Sequence, residues 1–176
     1  MFPLIAQIQA HKVLLNNKEL LASIKNSQNK NLAQKKDEVL RLITAVNALL
    51  AKPEHFSQTQ KMASLFLLAD AYSYLSMLYS NAHKREKPMM RKAEKALNQA
   101  IECLDLINQL LKEPSEIIDF EFVKKCNTFG ICDIKDALDA INNHLIDVLI
   151  ENTADEKSFA VSSTSSSSTG PKGPAV

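Results

Sequence analysis

Residues 88–112 read PMMRKAEKALNQAIECLDLINQLLK, and one spacing runs through them. Met90, Ala93, Leu97, Ala100, Leu104, Ile107 and Leu111 alternate by three and four residues, the interval that keeps a narrow apolar stripe on one face of an α-helix. Pro88 is tolerated in a first helical turn and would clash in a helix interior, so a helix is predicted from Pro88 to Lys112. So narrow a stripe favours a nearly antiparallel neighbour crossing at about 20°, and the two alanines let that neighbour approach closely.

The same period extends to both sides. Leu4, Ile5, Ile8, Val13, Leu14, Leu21 and Ile24 predict a first helix from Pro3 to Ile24, followed by a polar turn over 26–31. Leu32, Val39, Ile43, Val46 and Leu50 give a second helix, which Pro53 ends. A third, from Ser57 to Ala82, is apolar on more than one face and is therefore predicted to be central. After Pro114, residues 117–123 fit either period: Ile118, Phe120 and Phe122 alternate as in a strand, whereas Ile117, Phe120 and Val123 have helical spacing. A lone strand would lack a pairing partner, so a short helix with Ser115 as its cap is expected. Beyond a turn at Gly130, Asp133 can cap a last helix carrying Ile134, Leu138, Ile141, Leu145, Val148 and Leu149, with Asp136, Asp139 and Asp147 on its outer faces.

The expected fold is thus all-α: a single antiparallel helical bundle of five or six helices over residues 1–151, with a disordered Ser-rich C-terminal tail over 152–176. The run from Ser162 to Thr169 followed by GPKGP has too little apolar surface to offset the entropy of ordering. The composition agrees, with 45% apolar residues and only 3 Gly in 176 residues. No stretch is long and apolar enough to cross a bilayer, and Gln7, Gln9 and His11 interrupt the N-terminal apolar run before a secretory leader could form. The three cysteines, Cys103, Cys126 and Cys132, form no even framework and no C-x-x-C pair, which favours a reducing, cytoplasmic compartment. Cys103 reads as a buried thiol, and Cys126 and Cys132, flanking a turn, as the more exposed pair.

Chemistry-bearing motifs are absent. His11, His55, His83 and His144 never stand four apart on one helix face, neither H-E-x-x-H nor the Glu-x-x-His element of di-iron bundles occurs, and the glycines cannot form a phosphate cradle. No catalytic residue, metal ligand or cofactor is assigned. A small helical enzyme would need a site assembled from distant residues, such as a deep pocket joining His83 or His144 to a carboxylate.

Charge is unevenly distributed. Residues 1–100 carry 15 Lys or Arg against 7 acids and residues 101–176 carry 6 against 13, so the net charge of +1 divides into +8 and −7. On folding, such halves can neutralise each other. The sharpest local feature is the bunching of Lys84, Arg85, Lys87, Arg91, Lys92 and Lys95, with His83 beside them, around the start of the fourth helix. Cations there oppose the helix dipole, so this is a place where a partner could compensate a local cost. A protein partner is favoured over nucleic acid, because no aromatic residues interleave the run to stack bases. An anionic membrane is the other electrostatic candidate, and the plainer reading is that these residues solvate the joint or pair with acids of the last helix. Tyr72, Met77, Tyr79, Met89 and Met90 form a second group, for which core packing is the first reading.

The third and fourth helices resemble a tetratricopeptide unit at Leu68, Ala69 and Tyr72 and at Ala93, Leu97 and Ala100. Their connection is longer than in that 34-residue repeat and the unit is not repeated, so no peptide-binding residue is carried over. In composition, rich in Asn, Lys and Ser and lacking Trp, the chain is similar to small host-directed effectors and secretion chaperones of intracellular bacteria. That resemblance implies an effector, adaptor or chaperone, in the effector case one delivered into a host cell. The expected function is that of a non-catalytic protein interaction module, with a homo-oligomer also open, because a heptad stripe fills a core or a dimer seam equally well.

Overall fold

Two S/N-x-x-Q sequences set the entrances of the second and third helices. The structure, a computed structural model, describes residues 2–52, 56–82, 86–126 and 134–162. Helix α1 spans Phe2–Asn26, and α2 spans Leu32–Leu50 behind a capping box in which Asn31 accepts from the Gln34 N–H and Gln34 accepts from that of Asn31. Ser57 and Gln60 repeat the arrangement at the start of α3, Gln58–Asn81. Helix α4 runs Lys87–Lys112 with Pro88 in its first turn, followed by α5, Phe120–Cys126, and α6, Ile134–Ser162. All six described elements are helices, and none is long and apolar enough to cross a membrane.

Helix α3 is central, as its lack of a polar face requires. Every residue from Met62 to Ala71 is buried, and α1, α2, α4 and α5 all pack on it. Helices α2, α3 and α4 alternate in direction. Gln58 at the start of α3 bonds to Ser115 and Glu116 just past the end of α4, while Asn47 late in α2 donates to the Tyr72 hydroxyl. The α4 stripe faces this centre: Met90, Ala93, Leu97, Ala100, Leu104 and Ile107 are buried, and Ala96 and Cys103 widen the buried face. It is satisfied inside the bundle and is not a free seam for a second chain. Helix α6 lies at the margin, packing on α4 through Ala137, Ile141 and Val148.

Four expectations are corrected. The short helix begins at Phe120, not near 117, because Asp119 rather than Ser115 caps it: its Oδ1 accepts the N–H groups of Glu121 and Phe122, and Ser115 is occupied by Gln58. Helix α6 does not stop at 151 but continues through residues 152–162, where Ala154, Glu156, Lys157 and Ala160 are strong helix formers and neither Pro nor Gly intervenes. In α1, Ile5 and Ile8 are exposed, and Ala10, Leu14, Leu21 and Ile24 supply the buried face. Cys126 is fully buried rather than exposed. The expected turn at Gly130, the Asp133 cap, Cys132 and residues 163–176 of the tail lie outside the described residues.

Candidate functional site

The described basic residues at the start of α4 have different settings. Of the six predicted, Lys84 and Arg85, like His83, lie outside the described residues. Lys87 donates to Glu156 of α6 at 2.7 Å. That hydrogen bond, with the charges of Lys87 and Arg91, holds the Glu156 carboxyl below the usual glutamate range. A carboxylate therefore stands where cations oppose the helix dipole, and the plainer sequence reading, pairing with acids of the last helix, accounts for this end of the cluster. Glu156 escaped the sequence reading because residues past 151 were assigned to the tail.

Lys92 and Lys95 have a different setting. Five residues beyond Lys87 is about 140° of helix rotation, which turns Lys92 away from α6 and toward α3. Its ammonium lies 5.9 Å from the centroid of the Tyr79 ring, a cation–π distance. Lys92 and Lys95 form one wall of an open groove of about 340 Å³ in which α2 and α4 flank α3. Tyr72, Leu75 and Tyr79 of α3 make the floor, and Leu40, Ile43 and Thr44 of α2 the opposite wall. Burial raises the Tyr79 hydroxyl pKa, and the charge of Asp37, which lines no part of the groove and lies 4.0 Å from Lys36, adds to the rise. The floor is mainly apolar and one wall is cationic.

The second predicted group divides along the same line. Met90 is buried as expected for core, but Tyr72 and Tyr79 are only half-buried and line the groove, and Met77 is exposed on α3. A larger hollow of about 570 Å³ follows α4, bounded by Leu111, Pro114, Ile117, Ile118 and Phe120. Ile117 is 98% exposed there, and the one charged residue in the lining is Glu116.

Among the described residues, His11 is held in packing contacts and Cys103 and Cys126 are buried. Gln60 donates from Nε2 to the Gln7 carbonyl at 2.7 Å, His11 Nδ1 lies 2.6 Å from the same Nε2 and 3.1 Å from the Gln7 carbonyl, and the His11 ring packs tilted on Phe122 with centroids 3.8 Å apart. His11 thereby joins α1, α3 and α5. His144 Nε2 is buried without a hydrogen-bond partner among the described residues, and His144 lines neither hollow. Burial pushes the Cys103 thiol up to about 12, with Glu102 contributing, and the Cys126 thiol to about 11 despite Lys18 nearby. Both are protonated at neutral pH and poor nucleophiles. Among the described residues no three His, Cys, Asp or Glu side chains gather as a metal would need.

No protein-family model, no curated protein and no solved structure matches the chain.

Proposed function

We propose that the chain is a non-catalytic interaction module whose contact surface is the groove in which α2 and α4 flank α3, and that it receives an amphipathic helix bearing carboxylates along one edge. The observation that carries this reading is the position of Lys92 and Lys95 on the wall of a hollow floored by Tyr72, Leu75 and Tyr79. A half-buried aromatic floor supplies apolar area and the lysines supply orientation, the division of labour by which helix-in-groove complexes gain affinity and register. The reading gives the chain the work of an adaptor.

Nucleic acid or an anionic membrane has less support. Among the described residues of the run, Lys87 is engaged by Glu156 and Lys92 leans over Tyr79, so these two point to different neighbours.

Fluorescence anisotropy with two labelled helical peptides tests the proposal. One carries an acidic edge beside an apolar face, and the other has every acid replaced by lysine. The acidic peptide is expected to bind and to weaken as salt is raised, with about a tenfold loss in a Lys92→Glu, Lys95→Glu double variant. Equal binding of both peptides, or no effect of the double variant, would sink the groove as the contact surface. Salt-sensitive binding of DNA, RNA or acidic vesicles instead would favour the electrostatic alternative.

A further inference from the structure

The marginal helix α6 is covered on one side only. Its buried residues face α4, while Ile146 is 53% and Ile150 60% exposed on the other side, with Leu149 beside them. Asp136, Asp139 and Asp147 are exposed around these apolar residues, and α6 as a whole carries six carboxylates against two lysines. It is therefore an amphipathic helix with a free apolar face and an acidic surround, the occupant whose charge and apolarity complement a Tyr- and Leu-floored groove with a lysine wall.

Within one chain the two surfaces cannot meet. Lys87 reaches α6 and Lys92 reaches Tyr79, so α6 and the groove lie on opposite flanks of α4. Lys87 and Glu156 form one ion pair between α4 and α6, and Lys92, Lys95, Asp139 and Asp147 remain at the surface.

We infer that the occupant of the groove is the α6 helix of a second copy of this chain. The inference rests on the groove being a contact surface, as proposed above. Ile146 and Ile150 enter over Tyr72 and Tyr79, with the acidic surround of α6 facing Lys92 and Lys95. A copy that gives its α6 keeps its own groove open, so the contact is head to tail and repeats. Its affinity falls with salt, because the rim charges are exposed.

Sedimentation velocity on the full chain, over a range of concentration and salt, tests this. Weight-average mass is expected to rise with concentration at low salt and to return toward one chain at high salt. Two variants separate the surfaces: Lys92→Glu with Lys95→Glu removes the groove wall, and Ile146→Asp with Ile150→Asp removes the α6 face. All four residues are exposed, and circular dichroism checks that each variant keeps its helix content. Each variant alone should be monomeric, and an equimolar mixture should give a species of two chains and no larger, because one intact groove meets one intact α6. Wild type that stays monomeric throughout, variants that associate as wild type does, or a mixture that stays monomeric would each overturn the inference. Acidic-peptide binding by a wild type that does not self-associate would remove the second copy as occupant and leave the groove reading standing; loss of peptide binding as well would remove both.

Discussion

Gln60 is fully buried, yet its side-chain amide is well partnered: Oε1 accepts the Ser57 N–H, Nε2 donates to the Gln7 carbonyl, and His11 Nδ1 lies against Nε2. Replacing it with Ala takes a partner from each of three half-buried groups, of which the Gln7 carbonyl and His11 Nδ1 keep their mutual contact at 3.1 Å. Gln60→Ala is expected to lower the unfolding free energy by about 2 kcal/mol in urea titrations. Gln34→Ala, which breaks the equivalent capping box at an exposed site, should lose about 0.5 kcal/mol. Equal effects would mean that capping, and not the buried network, is what Gln60 contributes. Asp70 offers a test with pH. It is 3% exposed and paired with Lys25, which also lies 5.6 Å from the Tyr74 ring centroid, but its Oδ2 finds no partner among the described residues. Burial raises its pKa above the ordinary 3.8, outweighing the attraction and hydrogen bond of Lys25. The stability tied to such a raised group is fully present below the unfolded value and is lost as pH rises through the folded one. Thermal melts of Asp70→Asn should therefore improve relative to wild type as pH is raised from below 3.8 to 7. A relative decline over that range would show that the ion pair, and not desolvation, dominates.

At the scale of the element, the period of apolar residues was sufficient for type and order, because each long helix buries a face against α3 or α4. Boundaries followed where the chain carries a strong breaker, as at Pro88. They failed where a single polar side chain decides the matter: the α5 entrance is set by Asp119, two residues from groups that also fit a strand. The end of α6 was missed for another reason. Residues 152–162 have little apolar surface, and one of their ties to the bundle is an ion pair to a helix start that lies far back in the sequence. Ala154→Pro removes a donor from this extension and clashes with the preceding turn. The expected result is a loss of far-UV helical signal from about ten residues with the main unfolding transition retained, since Ala137, Ile141 and Val148 lie before the break. An unchanged signal would argue against helix beyond 151.

For the molecule as a whole, the candidate surface was half legible. The cluster of Lys84, Arg85, Lys87, Arg91, Lys92 and Lys95 is visible in any reading of charge, but linear proximity conceals that helix rotation assigns Lys87 to α6 and Lys92 to α3. The groove itself could not be read, because its floor and far wall come from residues 40–44 and 72–79, brought beside α4 by tertiary packing. The bunched lysines and the acids of the last helix are visible in the sequence, and the structure sets Lys92 and Lys95 on the groove wall and Asp136, Asp139 and Asp147 at the surface of α6. The central claim is that this groove is where the chain meets its partner. Its most direct test is amide chemical-shift mapping of the labelled protein titrated with the acidic helical peptide. The account predicts perturbations concentrated on residues 40–44, 72–79 and 92–99 that vanish in Lys92→Glu, Lys95→Glu; perturbations centred instead on the hollow at 111–120, or scattered without a focus, would contradict it.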